Sequence, residues 1–335
     1  MRSVMVVLAL ALTQPCLAQH AAPPVAWQAQ LDAEHPLVGV IWDVQAAHAI
    51  DQATLVERLA RARFVLLGEK HDNPDHHRLQ ARIFSALLEA GRKPALAFEM
   101  LDGDDAPAVQ AYLAGKPADA AGLGAAVGWD KKSWPPWAWY QQIADPAVRA
   151  RLPIIAANLA ERLARGAARQ GLGALPPELV ETLGLEQPIP DALRAAMGKE
   201  ITDSHCGFAP PGMVEPMILV QRARDAQMVE AVRRGATADG AVLITGFGHA
   251  RTDRAVPPQL VRRGAKPVAS LAILEVERGK DTAPSYAADF DAPRLPFDFV
   301  WFTPRVDDID PCEKFKAKLE KLKAAKPAAT PVSTP

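Results

Sequence analysis

Short apolar runs without polar alternation, separated by longer stretches of helical period, constrain this chain more than any other feature. Leu37 to Trp42, Phe64 to Leu67, Leu96 to Phe98, Ile154 to Ala157, Ala241 to Thr245 and Val268 to Val276 are such runs. A strand that is apolar at consecutive positions must be buried on both faces, and strands spaced by helices pair in parallel through crossovers. The expected fold is α/β: a central, mostly parallel sheet flanked by helices. From Ala160 to Arg234 strand signal almost vanishes, while helix-period segments such as Met213 to Arg233 continue. A smaller helical subdomain over about 160–234 is expected there.

Composition narrows the class. Hydrophobic residues at 49% and charged residues at 23% exclude collagen-like and wholly disordered chains. Lys+Arg 38 against Asp+Glu 39 gives a net charge of −1 without a basic stripe, so nucleic acid is not an expected partner. Thirty prolines and 21 glycines imply more turns than an all-helical bundle would hold.

Residues 1–18 read as a signal peptide: Arg2 is a short positive start, Val4 to Leu12 an apolar run, and Cys16-Leu17-Ala18 a cleavage-type end. Nine apolar residues do not span a bilayer core of roughly 30 Å, so no transmembrane helix is expected. Thr13-Gln14-Pro15 is unlike a bacterial lipoprotein signal, which favours soluble export over an anchor at Cys16. The chain is expected to be periplasmic or otherwise exported, with membrane association left open. In an oxidising compartment the remaining pair, Cys206 and Cys312, reads as a structural disulfide rather than a metal site or nucleophile. The main domain is expected over 19–312, followed by a Lys/Glu helix from Lys314 and a disordered tail over Pro327 to Pro335, together 313–335.

One helix can be read closely. Asn73 is an N-cap candidate, Pro74 suits the first helical position and Gly91 ends the segment. At 100° per residue His76 shares a stripe with Leu79, Ile83, Leu87 and Ala90, and His77 lies at its edge. His76 is then either a ligand candidate or a core histidine satisfied by a backbone carbonyl.

Four runs end in chemistry-bearing residues: Gly68-Glu69-Lys70-His71, Glu99, Asn158 and Gly246-Phe247-Gly248-His249. In parallel sheets ligands sit outside the carboxyl ends of strands, so these endings are expected to share one crevice. Glu69, His71, Glu99 and His249 would form a candidate catalytic set, with Glu69, His71 and His249 able to hold a divalent metal. Each alone could equally be a cap or a satisfied loop residue. There is no G-x-S-x-G elbow, H-E-x-x-H or phosphate loop. A second feature is the cluster Trp129, Trp134, Trp137, Trp139 and Tyr140, read as a loop because of Lys131-Lys132 and Pro135-Pro136. Such a loop either walls a planar ligand, with a tyrosine able to ligate ferric haem iron, or pins a lid to the sheet.

Leu66 to Asn73, His76-His77, Phe98-Glu99-Met100, Ala157-Asn158, Arg224-Asp225-Ala226-Gln227-Met228 and Gly246 to His249 together resemble the ChaN-like haem-binding uptake family. That family is grouped with Tiki proteases and erythromycin esterases, a superfamily marked by paired G-x-x-H motifs. Both pairs stand here, at Gly68 to His71 and Gly246 to His249, and the resemblance runs from about Leu37 to Cys312. It implies a parallel α/β domain with a small helical domain, haem as cofactor in iron acquisition, and a homodimer forming on haem binding. By resemblance Tyr140 is the iron ligand, and Trp137, Trp134 and His76 join it as the expected haem contacts. The alternative is a metal-dependent hydrolase using Glu69, His71, Glu99 and His249. A third reading is a non-catalytic scaffold in which these residues only cap strands and helices.

Overall fold

Side chains on successive strand residues point to opposite faces, so an unbroken apolar run needs a core on each side. The computed structural model describes residues 26–324 and meets that need. The expected signal peptide and the tail from Pro327 lie outside the described residues. The strands are β1 (Ile41–Asp43), β2 (His48–Ile50), β3 (Phe64–Glu69), β4 (Ala95–Asp102), β5 (Ile154–Asn158), β6 (Ala241–Gly246), β7 (Val268–Glu275) and β8 (Phe299–Thr303). They form one sheet in the order β2-β1-β8-β7-β3-β6-β4-β5. β3 to β8 pair in parallel, and β1 and β2 add an antiparallel edge.

The helices are α1 (Gln52–Ala60), α2 (Pro74–Glu89), α3 (Ala106–Ala114), α4 (Leu123–Ala126), α5 (Trp137–Arg149), α6 (Glu161–Gln170), α7 (Pro177–Leu183), α8 (Asp191–Ser204), α9 (Val214–Gly235), α10 (Val256–Arg262) and α11 (Pro311–Ala324). On one face Val65, Leu67, Leu96 and Phe98 pack with Leu79, Ile83, Phe84 and Leu87 of α2. On the other, Phe64, Leu66, Ala95 and Ala97 meet Met228, Val229 and Leu260 from α9 and α10. The helical region expected over 160–234 has its own small core, with Leu159, Ala164, Leu183 and Ala223. Cys206 and Cys312 form a disulfide, which ties the segment after α8 in this lobe to the start of α11.

Local signals explain the element ends. Asn73 caps α2 by accepting from Asp75 N at 2.9 Å, and Pro74 occupies the first turn. Gly91 has φ +84°, a left-handed conformation that glycine adopts without a Cβ clash. Leu37 to Trp42 departs from expectation: Leu37 to Val40 is a turn, with Gly39 at φ +83°, and only its end becomes a short antiparallel strand. The run Phe299-Val300-Trp301-Phe302, absent from the sequence reading, forms β8 and is buried throughout. The aromatic segment is not all loop either. Pro136 precedes a helix, so Trp137, Trp139 and Tyr140 occupy the first turn of α5.

Candidate functional site at the carboxyl ends of the strands

β3, β6 and β4 are neighbours, so the ends of three strands far apart in sequence lie side by side. Glu69 closes β3 and is buried. His71, two residues on, donates from Nδ1 to Glu69 Oε1 at 2.6 Å, and its side chain is 37% exposed. Glu99 sits within β4, where the register against β5 shifts between Phe98 and Asp102. Such bulges re-aim side chains beside sites. Here Glu99 Oε2 accepts from Thr245 Oγ1 and from Gly246 N, both at 2.7 Å.

His249 lies on a single 3₁₀ turn, Phe247–Ala250, that follows β6. Its Nδ1 donates to Asp225 Oδ1 at 2.6 Å, and its Nε2 lies 3.4 Å from Glu99 Oε1. The structure thus brings Glu69, His71, Glu99 and His249 to one rim and adds Asp225 from α9. The glycines of both G-x-x-H motifs stand at close approaches, that of Gly68 to backbone and that of Gly246 to a side chain. A Cβ on Gly68 would stand 2.8 Å from Phe247 Cα and 2.9 Å from Ala250 Cβ. A Cβ on Gly246 would stand 3.1 Å from His71 Nε2.

Charge pairing sets the protonation states. Burial opposes the charged form of His71, yet Glu69 raises its pKa to about 9. Burial likewise opposes His249, and Glu99 with Asp225 lifts it to about 10. Burial would push Glu99 up, but His249 and His71 hold it well below the usual carboxylate range. Burial raises Asp225, partly offset by His249. At neutral pH both imidazoles are therefore imidazolium ions locked to carboxylates.

A raised imidazole pKa contributes stability that is fully present below the ordinary value of 6.5 and lost as pH rises through the folded-state value. Thermal unfolding is expected to show a falling Tm as pH climbs from about 7 through about 9 to about 10, with His249→Gln flattening that slope. An unchanged slope in the variant would show that the pairing is not what sets it.

Other expected site residues are placed elsewhere. Among the described residues no group of three or more His, Cys, Asp or Glu is arranged to hold a metal ion, the expected set of Glu69, His71 and His249 included. His76 is fully buried and internally satisfied, accepting at Nδ1 from Lys70 N and donating from Nε2 to Thr303 Oγ1, both at 2.9 Å. It is the core histidine of the alternative reading, satisfied by a hydroxyl and an N–H rather than by a carbonyl.

Tyr140 is fully buried, its ring 4.5 Å from that of His77 and 5.0 Å from that of Trp129. Burial, reinforced by Glu69 and Glu99, pushes its phenol far above the ordinary range. A closed-in, protonated phenol with no face open to a porphyrin does not fit the expected role of iron ligand. Trp137 packs on Gly124 and donates from Nε1 to Ala120 O, inside the aromatic cluster. Only Trp134 reaches the rim, edge-on to His71 at 4.9 Å.

The space open to a ligand lies on the other side of His249. A cavity of about 850 Å³ runs from Asp225 and His249 into the helical lobe. Met197, Ile201, Met213 and Met217 form apolar wall, and His205 and Arg222 add polar groups. Arg222 donates to Leu185 O at 3.2 Å and Gln187 O at 2.6 Å and pairs with no carboxylate among the described residues. Sequence reasoning did not assign Asp225 a role. It shares a helical stripe with Ile218, Val229 and Val232, and a carboxylate on an apolar stripe was the available signal.

Comparison with known proteins follows the same outline. A family model described as haem-binding uptake, Tiki superfamily, ChaN matches residues 55–260. The solved structure of cofacial heme binding to ChaN of Campylobacter jejuni is 20% identical, covers 78% of this chain and 95% of its own, and superposes with a TM-score of 0.58. An erythromycin esterase mutant in its open conformation is 13% identical, covering 85% of this chain and 100% of its own, with a TM-score of 0.40. The type III effector HopBA1 is 16% identical, covering 75% and 92%, with a TM-score of 0.36. No curated protein matches the sequence.

Proposed function

Because the chain belongs to the haem-binding uptake family of the Tiki superfamily, ChaN, we propose that it is an exported haem-binding protein of haem or iron uptake, and that its helical lobe receives the porphyrin. One observation carries this reading: a cavity of about 850 Å³ that joins apolar wall to Arg222, a cation with no carboxylate partner among the described residues. A flat apolar ring bearing carboxylates matches both features. Burial and the neighbouring Arg194 press the Arg222 pKa down, so an anionic ligand group would stabilise its charge. Arg224 Nη2 pairs with Glu161 Oε2 at 3.1 Å, while its Nε is buried without a hydrogen-bond partner among the described residues. Haem, if bound, would supply a redox-active iron open to ligation by a protein side chain. The chain's own contribution is the apolar wall, the cations that take carboxylates and the exclusion of water.

Titration of the purified chain with hemin is expected to give a saturable Soret shift. Arg222→Met is expected to weaken affinity roughly tenfold, the scale of one hydrogen bond to a charged group. Absence of any Soret change in the wild type would end this reading. The homodimer expected on haem binding is tested by sedimentation of the loaded protein.

A second reading rests on a different observation. Among the described residues Glu69 Oε2 is buried without a hydrogen-bond partner, while Oε1 holds the His71 imidazolium. Glu69 is then placed to act as general base, with His71 or His249 supplying a proton or stabilising developing negative charge. Glu69→Gln is expected to lower any ester hydrolysis by roughly 10²–10⁴-fold. Equal rates in wild type and variant would remove it.

A further inference from the structure

We propose that His205 is the side chain that ligates the iron of a porphyrin held in the helical-lobe cavity; this rests on the haem reading above. An axial histidine needs a wall position, a ring nitrogen not committed elsewhere and a partner that fixes its tautomer. His205 has all three. It lines the cavity at the end of α8. Its Nδ1 donates to Ile201 O at 2.7 Å, which places the proton on that nitrogen and leaves the Nε2 lone pair for a ligand.

The ring is also held in place. Phe315 of α11 meets it edge-on, with ring centroids 5.3 Å apart. The next residue, Cys206, is bonded to Cys312 and has φ +54°, an unusual left-handed backbone for a side chain with a Cβ. A disulfide and an aromatic contact thus converge on the turn that carries His205.

The other described histidines lack at least one requirement. His71 does not line the cavity, and His249, which does, has Nδ1 on Asp225 and Nε2 3.4 Å from Glu99 Oε1. His76 uses both nitrogens inside the core. His77 donates to His71 O and packs its ring against Trp139 and Tyr140. His35 accepts from Leu37 N, and its other nitrogen is buried near Asp281. His48 is exposed on the edge strand β2, away from the cavity wall.

The test is hemin titration of the full, disulfide-intact chain, followed by optical and EPR spectra. His205→Ala is expected to lose the wild-type axial-ligand signature and to weaken affinity at least about tenfold. His205→Gly supplemented with imidazole is expected to regain the signature, which separates ligation from folding. Tyr140→Phe is expected to keep the wild-type spectrum. Hemin that binds His205→Ala with the wild-type signature would overturn the assignment while leaving the haem reading standing. A signature lost in Tyr140→Phe, or not regained with imidazole, would also overturn it. A wild type without any Soret response would overturn both.

Discussion

Replacing Glu99 with alanine is expected to destabilise the protein by about 3–5 kcal/mol, the cost of removing one partner from a buried charge pair. Glu99 is 4% exposed and serves several groups at once. Its Oε2 accepts from Thr245 Oγ1 and Gly246 N, and its Oε1 faces His249 Nε2. The variant would leave two donors without an acceptor and His249 with Asp225 as its one remaining carboxylate. The sign of the pH dependence follows from the depressed pKa of Glu99. Its contribution is present above the ordinary value of 4.5 and is lost as pH falls through the folded-state value. Urea unfolding at pH 7 measures the cost. Glu99→Gln separates charge from shape: it keeps an acceptor for Thr245, and NMR titration is expected to show the His249 pKa falling from about 10. A loss of less than about 1 kcal/mol in Glu99→Ala would show that Glu99 is not an essential partner of the buried imidazolium.

Loss of the Cys206–Cys312 disulfide is expected to cost about 4 kcal/mol. The two cysteines stand 106 residues apart in sequence, and closing so long a loop removes much of the freedom of the unfolded chain. The bond encloses α9, α10 and the strands β6 to β8, so its loss acts on the whole sheet through the unfolded state. It also acts locally, because Phe315 and the turn at Cys206 hold the end of the helical lobe. Chemical unfolding of a Cys206→Ser, Cys312→Ser double variant measures the cost. Agreement with wild type to within about 1 kcal/mol would show that the unfolded chain gains little freedom when the bond is absent.

Five of the six parallel strands, β8 being the exception, were legible because burial on both faces writes an unbroken apolar run into the local sequence. Phe64 to Leu67, Leu96 to Phe98 and Ala241 to Thr245 all became core strands. The cap of α2 was equally local, since Asn73 and Pro74 act within one turn. Strand endings pointed to Glu69, His71, Glu99 and His249, because a parallel sheet places carboxyl ends together.

What tertiary structure decided is which of these groups touch, and what faces a ligand. Thr245 reaches Glu99 across 146 positions of chain, and that contact exists because β6 lies between β3 and β4, an order that no local periodicity encodes. The same holds for Asp225, brought to His249 by the packing of α9 on the sheet. Tyr140 and His76 show the converse: each carries a residue type suited to ligation, and each is enclosed by neighbours from distant segments. Residue identity and spacing determine what a side chain can do chemically. Its access to solvent and its partners depend on how separate elements stack, which is a property of the folded whole.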